Sequence, residues 1–234
     1  RFGHEVVTML ELRDIRKAFN TGKPYELTAV DGVSLVLEAR KVTVLRGPSG
    51  SGKTTLLSLA GCMARPTSGR IMLEGREITS LPERFLTEIR RTTFGFIFQQ
   101  FNLVKGITAL ENVMLPSYPL GEQHAALKQR ALDLLELFGI RQRAQSRAEW
   151  LSGGEAQRTA IARALINNPR VIIADEPTAH LDTKLSREFM DIVARFKDQQ
   201  KTVIIASHDP LVYDSGVVDR VVSMRDGKIE GTEA

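Results

Sequence analysis

Residues Gly47-Pro48-Ser49-Gly50-Ser51-Gly52-Lys53-Thr54 match G-x-x-x-x-G-K-[ST] at every fixed position. The pattern constrains the fold because it works only as the link between a strand and a helix. Both flanks fit: Val42-Thr43-Val44-Leu45-Arg46 reads as a buried strand and Thr55-Leu56-Leu57-Ser58-Leu59-Ala60 as a helix. A polyphosphate needs a concave ring of backbone N–H donors, and glycines let the chain bend without Cβ atoms in the way of the anion. The helix adds its positive end. In this chemistry Gly47, Ser49, Gly50, Ser51, Gly52 and Thr55 frame the phosphates, Lys53 reaches the β- and γ-phosphates, and the Thr54 hydroxyl ligates Mg²⁺.

Further along, Val171-Ile172-Ile173-Ala174 reads as a second buried strand, closed by Asp175-Glu176. Neighbouring side chains at a strand end point in different directions, so the two carboxylates can take separate roles. Asp175 is expected to hold the Mg²⁺ shell, through water, and Glu176 to polarise the attacking water as general base.

Other apolar, β-branched runs (Val33–Leu37, Ile71–Leu73, Phe94–Phe98, Val203–Ala206 and Arg220–Met224) alternate with helical patterns, which predicts a mainly parallel sheet covered by helices. Met9 to about Leu37 reads as strands joined by turns at Thr21–Pro24 and Asp31-Gly32. From about Thr108 to Leu165 helices take over. The clearest is Ala125–Phe138, whose apolar face is Leu127, Ala131, Leu134, Leu135 and Phe138. No apolar run approaches the roughly 18–20 residues of a membrane-spanning helix. One cysteine, Cys62, excludes an intramolecular disulfide and reads as a small buried thiol. The opening Arg1-Phe2-Gly3-His4 has no secretory pattern, and the expected setting is reducing and cytoplasmic. A net charge of +4 suits work beside anionic lipid or on a polyphosphate and does not by itself indicate nucleic acid.

Leu151-Ser152-Gly153-Gly154-Glu155-Ala156-Gln157-Arg158 has two compatible readings. Ser152-x-x-Glu155 is a helix-starting capping box. A helix start carrying a hydroxyl and two glycines is also an anion site, and two glycines in a first turn cost about 1 kcal/mol each, which a cap alone does not require. This segment resembles the LSGGQ signature of ATP-binding cassette (ABC) proteins, with Glu155 where the family more often has Gln. The resemblance spans roughly Met9 to Lys228. It implies an α/β fold: a P-loop NTPase (RecA-like) core with an antiparallel β subdomain and an inserted helical signature subdomain at about 103–165, all within one ATPase domain over 5–234.

Several site residues are carried by that resemblance. Phe19 stands where an aromatic stacks on adenine, although it also reads as a core residue of an early strand; Tyr25 is the less favoured alternative. Gln99 matches the glutamine that contacts Mg²⁺, with Gln100 one residue away. Ala179-His180-Leu181-Asp182 resembles the D-loop, and His208 matches the switch histidine that hydrogen-bonds the γ-phosphate. Ser152, Gly153, Gly154 and Glu155 are implied to bind the nucleotide held by another copy. His4 and His124 lack such context and read as solvent-facing. The run from Phe94, FGFIFQQFNLVKGITALENV, looks like the lipoprotein-release and macrolide-export branch, with departures at Lys105-Gly106 and Ala179.

The resemblance implies ATP and Mg²⁺ as ligands, a head-to-tail dimer, and a transmembrane permease as partner. The chain would then sit peripherally at the cytoplasmic face of the inner membrane, touching the membrane only through that partner. The alternative is an ABC-superfamily ATPase acting on DNA or ribosomes. Those proteins usually carry a long coiled coil, a zinc insertion or a second cassette, none of which is visible here.

Overall fold

The computed structural model describes residues 7–179 and 181–233. Two long strands, β1 (Thr8–Phe19) and β2 (Leu27–Glu38), pair antiparallel across the Thr21–Pro24 turn. Asp31-Gly32, expected as a turn, lies inside β2. The ladder passes from Ile15↔Val33 to Lys17↔Val30, so two residues face one, and Gly32 has φ +66°. That is a bulge, which glycine accommodates without Cβ strain. β3 (Val42–Arg46) then enters a second sheet, and the phosphate loop leads into α1 (Lys53–Ala60). β4 (Ser68–Leu73) and the two-residue β5 (Arg76–Glu77) complete the small sheet in the order β2-β1-β4-β5.

After α2 (Glu83–Thr93) comes β6 (Phe94–Ile97), then the helical lobe: α3 (Ala109–Met114), a 3-10 turn at Leu115–Leu120, α4 (His124–Leu137), a 3-10 turn at Ala148–Trp150 and α5 (Gly153–Leu165). The chain closes through β7 (Val171–Asp175), α6 (Thr183–Asp198), β8 (Thr202–Ser207), α7 (Pro210–Tyr213), β9 (Arg220–Arg225) and β10 (Lys228–Glu233). The large sheet runs β10-β9-β3-β8-β7-β6, parallel except for the β10 edge.

Alternation along the central strands explains why they are apolar throughout. Val42 and Val44, Ile172 and Ala174, Val203 and Ile205 face the helices of the lobe and α6. Leu45, Val171, Ile173, Ile204 and Ala206 face α1 and the small sheet. A sheet covered on both sides buries both sets. On α4 the expected stripe packs inward: Leu127, Ala131, Leu135 and Phe138 are buried and Leu134 partly so. The helical lobe thus shares its core with the sheet. Cys62 is buried, and burial pushes its thiol up to about 11, an unreactive thiol as expected.

Candidate nucleotide site

The expected catalytic side chains gather at one edge of the large sheet, the carboxyl ends of its parallel strands. The phosphate loop leaves β3, Asp175-Glu176 closes β7, His208 follows β8 and Gln99 follows β6. Ligands of open α/β sheets bind at this edge. The register fixes the alignment: Asp175 pairs with Ala206, Arg46 with Ser207, and the Glu176 N–H donates to the Ala206 carbonyl at 2.9 Å. β6 ends at Ile97, so Gln99 lies two residues beyond the strand it was expected to close, in an exposed turn.

The phosphate loop is held from two sides. A Cβ on Gly47 would lie 2.2 Å from the Met224 carbonyl oxygen, and one on Gly52, at φ +97°, 2.3 Å from that of Ala29. Gly227, in the β9–β10 turn, donates its N–H to the Ser51 carbonyl at 3.1 Å. Lys53 is buried, with Nζ donating to the carbonyls of Gly47 (2.7 Å) and Pro48 (3.0 Å). α1 starts without a side-chain cap and without an acidic residue in its first turn, so its orphan N–H groups are left for a ligand. The Ser51 hydroxyl is buried without a partner, an orphan that an anion would satisfy.

Two acidic side chains complete the centre. Thr54 donates its hydroxyl to Asp175 Oδ1 at 2.9 Å, which leaves the threonine lone pairs free for a cation and orients them. Burial raises the Asp175 carboxyl above its ordinary range, with the neighbouring Glu176 charge adding to the rise and the Thr54 hydrogen bond and Lys53 opposing it. Glu176 lies between two basic side chains: Lys53 Nζ is 3.5 Å from Oε1, and His208 Nδ1 is 2.9 Å from Oε2. His208 is thus joined to Glu176 directly. Glu176 also has φ +45°, an uncommon backbone for a non-glycine residue, held by its bond to Ala206.

The signature stands apart from this cluster. Ser152 caps α5 by accepting from the Glu155 N–H at 3.4 Å, and Glu155 accepts from the Ser152 N–H at 2.9 Å. The other Glu155 oxygen accepts from Arg143 Nε at 2.8 Å. The Ser152 N–H and Arg143 together hold the Glu155 carboxyl below its ordinary range. Glu155, expected among the nucleotide contacts, therefore has both oxygens engaged within the chain and serves to set the turn. A Cβ on Gly153 would meet nothing within 4 Å. Among the described residues, no hydrogen bond or ion pair joins Ser152–Glu155 to Gly47–Thr55.

Sequence reading missed the ties between these parts. Arg163 of α5 donates to the carbonyls of Phe101 and Asn102, both 2.5 Å away and both at positive φ, in the segment after Gln99. Buried Gln157 donates to the Pro177 carbonyl at 3.1 Å, and Thr178 to Asp209 at 3.1 Å. An arginine inside the apolar run Ile161–Leu165 was the available signal. Phe19 pairs with Leu27, two residues along β2 from Ala29, whose carbonyl abuts Gly52; its ring is half exposed, with Lys17 Nζ 5.2 Å from the ring centre. His124 is exposed as expected. His4, and His180 of the D-loop, lie outside the described residues.

A phosphate loop, an acidic strand end and a histidine at the carboxyl edge of one parallel sheet define a P-loop nucleoside triphosphatase. The family model described as "ABC transporter" matches residues 30–179, and the chain belongs to that family as one of its ATPase cassettes. It is 42% identical over 225 residues to an ABC transporter ATP-binding protein of Thermotoga maritima, covering 96% of this chain and 95% of the other. It is 41% identical to the ABC transporter ATP-binding protein YvrO of Bacillus subtilis, with 94% and 95% covered. It is 39% identical to the macrolide export ATP-binding/permease protein MacB of Hyphomonas neptunium, over 94% of this chain but only 34% of that protein. The solved cassette MJ0796, from a bacterial ABC transporter and described as dimeric, superposes with a TM-score of 0.89 at 36% identity, covering 96% of this chain and 98% of that one. A second structure of that cassette is a dimeric post-hydrolysis state bound to ADP and Pi.

Proposed function

We propose that two copies of this cassette close head-to-tail around two ATP molecules, hydrolyse them, and thereby drive a membrane permease of the export or lipoprotein-release type. The observation that carries this reading is the gathering of Lys53 and His208 on Glu176, one by an ion pair and one by a hydrogen bond, beside the Thr54–Asp175 pair.

The residues fit magnesium. Thr54, Asp175 and Gln99 offer hard oxygen donors, and Mg²⁺ is ordinarily held by one or two carboxylates together with substrate phosphates. Among the described residues, no group of three or more His, Cys, Asp or Glu forms a separate metal cage. Held by Thr54, Asp175 and Gln99, Mg²⁺ would supply positive charge against the phosphate oxygens. Lys53, released from the Gly47 and Pro48 carbonyls, meets the same oxygens. Glu176 accepts a proton from water as the water oxygen attacks the γ-phosphorus, and the bond to the β–γ bridging oxygen breaks to release ADP. His208 orients the Glu176 carboxylate and reaches the γ-phosphate. Phe19 stacks on adenine.

The head-to-tail arrangement explains Gly153. Nothing in its own chain requires a glycine there, so the close approach that excludes a side chain comes from another molecule. The N–H groups of Gly153 and Gly154, which the capping box leaves unengaged, then supply to the partner's γ-phosphate the charge stabilisation that an arginine finger supplies elsewhere.

Among the described residues no helix is long and apolar enough to cross a membrane, so contact with a permease falls to the surface. An open groove of about 360 Å³ between β6 and the helical lobe suits a short amphipathic helix of the permease; its walls include Met63, Phe96, Phe98, Pro116 and Pro119. It lies beside Gln99 and the loop held by Arg163, which supports coupling of ATP state to the permease; on this reading the cassette sits peripherally at the cytoplasmic face. The inserted lobe is a compact set of helices and the relatives are transport proteins, which favours this reading over a DNA- or ribosome-directed ATPase. Co-purification tests it: a membrane permease should accompany the tagged cassette and be lost when Phe98 and Pro116 are replaced by Asp, and recovery of nucleic acid or ribosomes in its place would contradict it.

A further inference from the structure

We infer that Trp150 is a contact of the closed dimer: its indole packs against the nucleotide-binding face of the second copy and is buried when ATP brings the two together. The inference rests on the head-to-tail reading above.

Trp150 is the only tryptophan in the chain and is 69% exposed. A solvated indole forgoes a large burial gain, and tryptophan is among the residues most enriched at the energetic centres of interfaces. Its setting is a built platform. The 3-10 turn is closed by the Trp150 N–H donating to the Arg147 carbonyl at 3.0 Å, and the turn is tied back by the Ala148 N–H to Ile107 (3.0 Å) and by Glu149 accepting from the Gly106 N–H (3.0 Å). The Arg147 guanidinium lies 5.5 Å from the ring centre, a cation–π contact that restrains the indole before any partner arrives. A side chain already restrained loses less entropy on docking.

Position selects the occupant. Trp150 is two residues before Ser152, a separation of at most about 7 Å along the chain. A surface that seats on the signature turn therefore comes within reach of the indole. In the head-to-tail dimer that surface is the partner's phosphate-loop side, where β2 abuts Gly52 through Ala29 and the exposed Phe19 (42%) pairs with Leu27 two residues away. The apolar groove assigned to the permease is lined by other residues and includes none of Arg147–Ser152.

The test uses Trp150 as its own probe. In the full chain carrying Glu176→Gln, emission is recorded with ADP and with ATP-Mg²⁺, at concentrations where sedimentation velocity reports the mass of the species. The expected result is a dimer with ATP whose emission lies at shorter wavelength and whose acrylamide quenching falls several-fold, with no change for ADP. Trp150→Ala, an exposed substitution that leaves the fold intact, should raise the protein concentration for half-maximal dimer by about tenfold, and Trp150→Phe by much less. A dimer that forms with unaltered emission and quenching overturns the inference and leaves the head-to-tail reading standing. A chain that stays monomeric with ATP overturns both. Emission that shifts only when the permease is added assigns the indole to that partner and overturns the inference.

Discussion

The two helices that begin at anion-binding sequences are built on opposite principles. α1 starts uncapped, with glycines that its own chain demands: a Cβ at Gly47 or Gly52 would press on the carbonyl of Met224 or Ala29. α5 starts with a complete capping box, and Gly153 has open space around it. On the proposed reading, the ligand supplies the cap that the start of α1 lacks, and Gly153 at the start of α5 answers to the second copy.

The largest effect should fall on the centre that α1 serves. Glu176→Gln keeps the shape of the side chain and its reach to His208 while removing the base, and steady-state ATPase assays should record a loss of about 10²–10⁴-fold. His208→Ala should cost less, since the strained backbone of Glu176 is held by Ala206 without it.

Alanine at the glycines sharpens the contrast. Gly47→Ala and Gly52→Ala should each destabilise the fold by on the order of 3 kcal/mol in denaturant titrations, because the new Cβ meets backbone that cannot yield. Gly153→Ala should leave stability within about 1 kcal/mol, or raise it, since alanine is the better helix former, while ATP-dependent dimerisation falls. Equal destabilisation at the two sites would mean that Gly153, like Gly47 and Gly52, is required by its own chain.

Arg163→Ala should cost about 2 kcal/mol, the scale of hydrogen bonds to a charged group. It should also uncouple the loop after Gln99 from α5, seen as faster amide exchange at Phe101 and Asn102 with the rest of the lobe still protected. The smallest effect belongs to Glu155. Its folded carboxyl is held below the ordinary value of 4.5, so its contribution is present above that value and is lost as pH falls through the lower folded value. Glu155→Gln can still cap, should change stability by under about 1 kcal/mol at neutral pH, and should flatten the acid limb of an unfolding curve measured from pH 6 to 3.

How much of this was legible in the sequence varied with how local the signal was. β3 was read to the residue, and β7 and β8 to within one residue at either end, because buried parallel strands are short apolar runs with sharp limits. α4 was displaced by one residue. β10 was missed: it is an exposed edge strand, rich in charge and glycine, without an apolar period to betray it. Asp31-Gly32 was misread because a turn and a bulge use the same residues, and only the partner strand distinguishes them. In the site, the motif residues were legible because phosphate chemistry fixes their spacing. The Glu176–His208 bond, the Arg163 clamp and the internal engagement of Glu155 were not, since each depends on long-range placement.

Sedimentation velocity shows whether the signature of one copy completes the site of the other. Glu176→Gln with ATP-Mg²⁺ should sediment as a dimer, and the Glu176→Gln, Gly153→Asp double variant as a monomer that still binds ATP with unchanged affinity. A double variant that dimerises as readily as the single one, or that loses ATP binding in the monomer, would rule out a site shared between two copies.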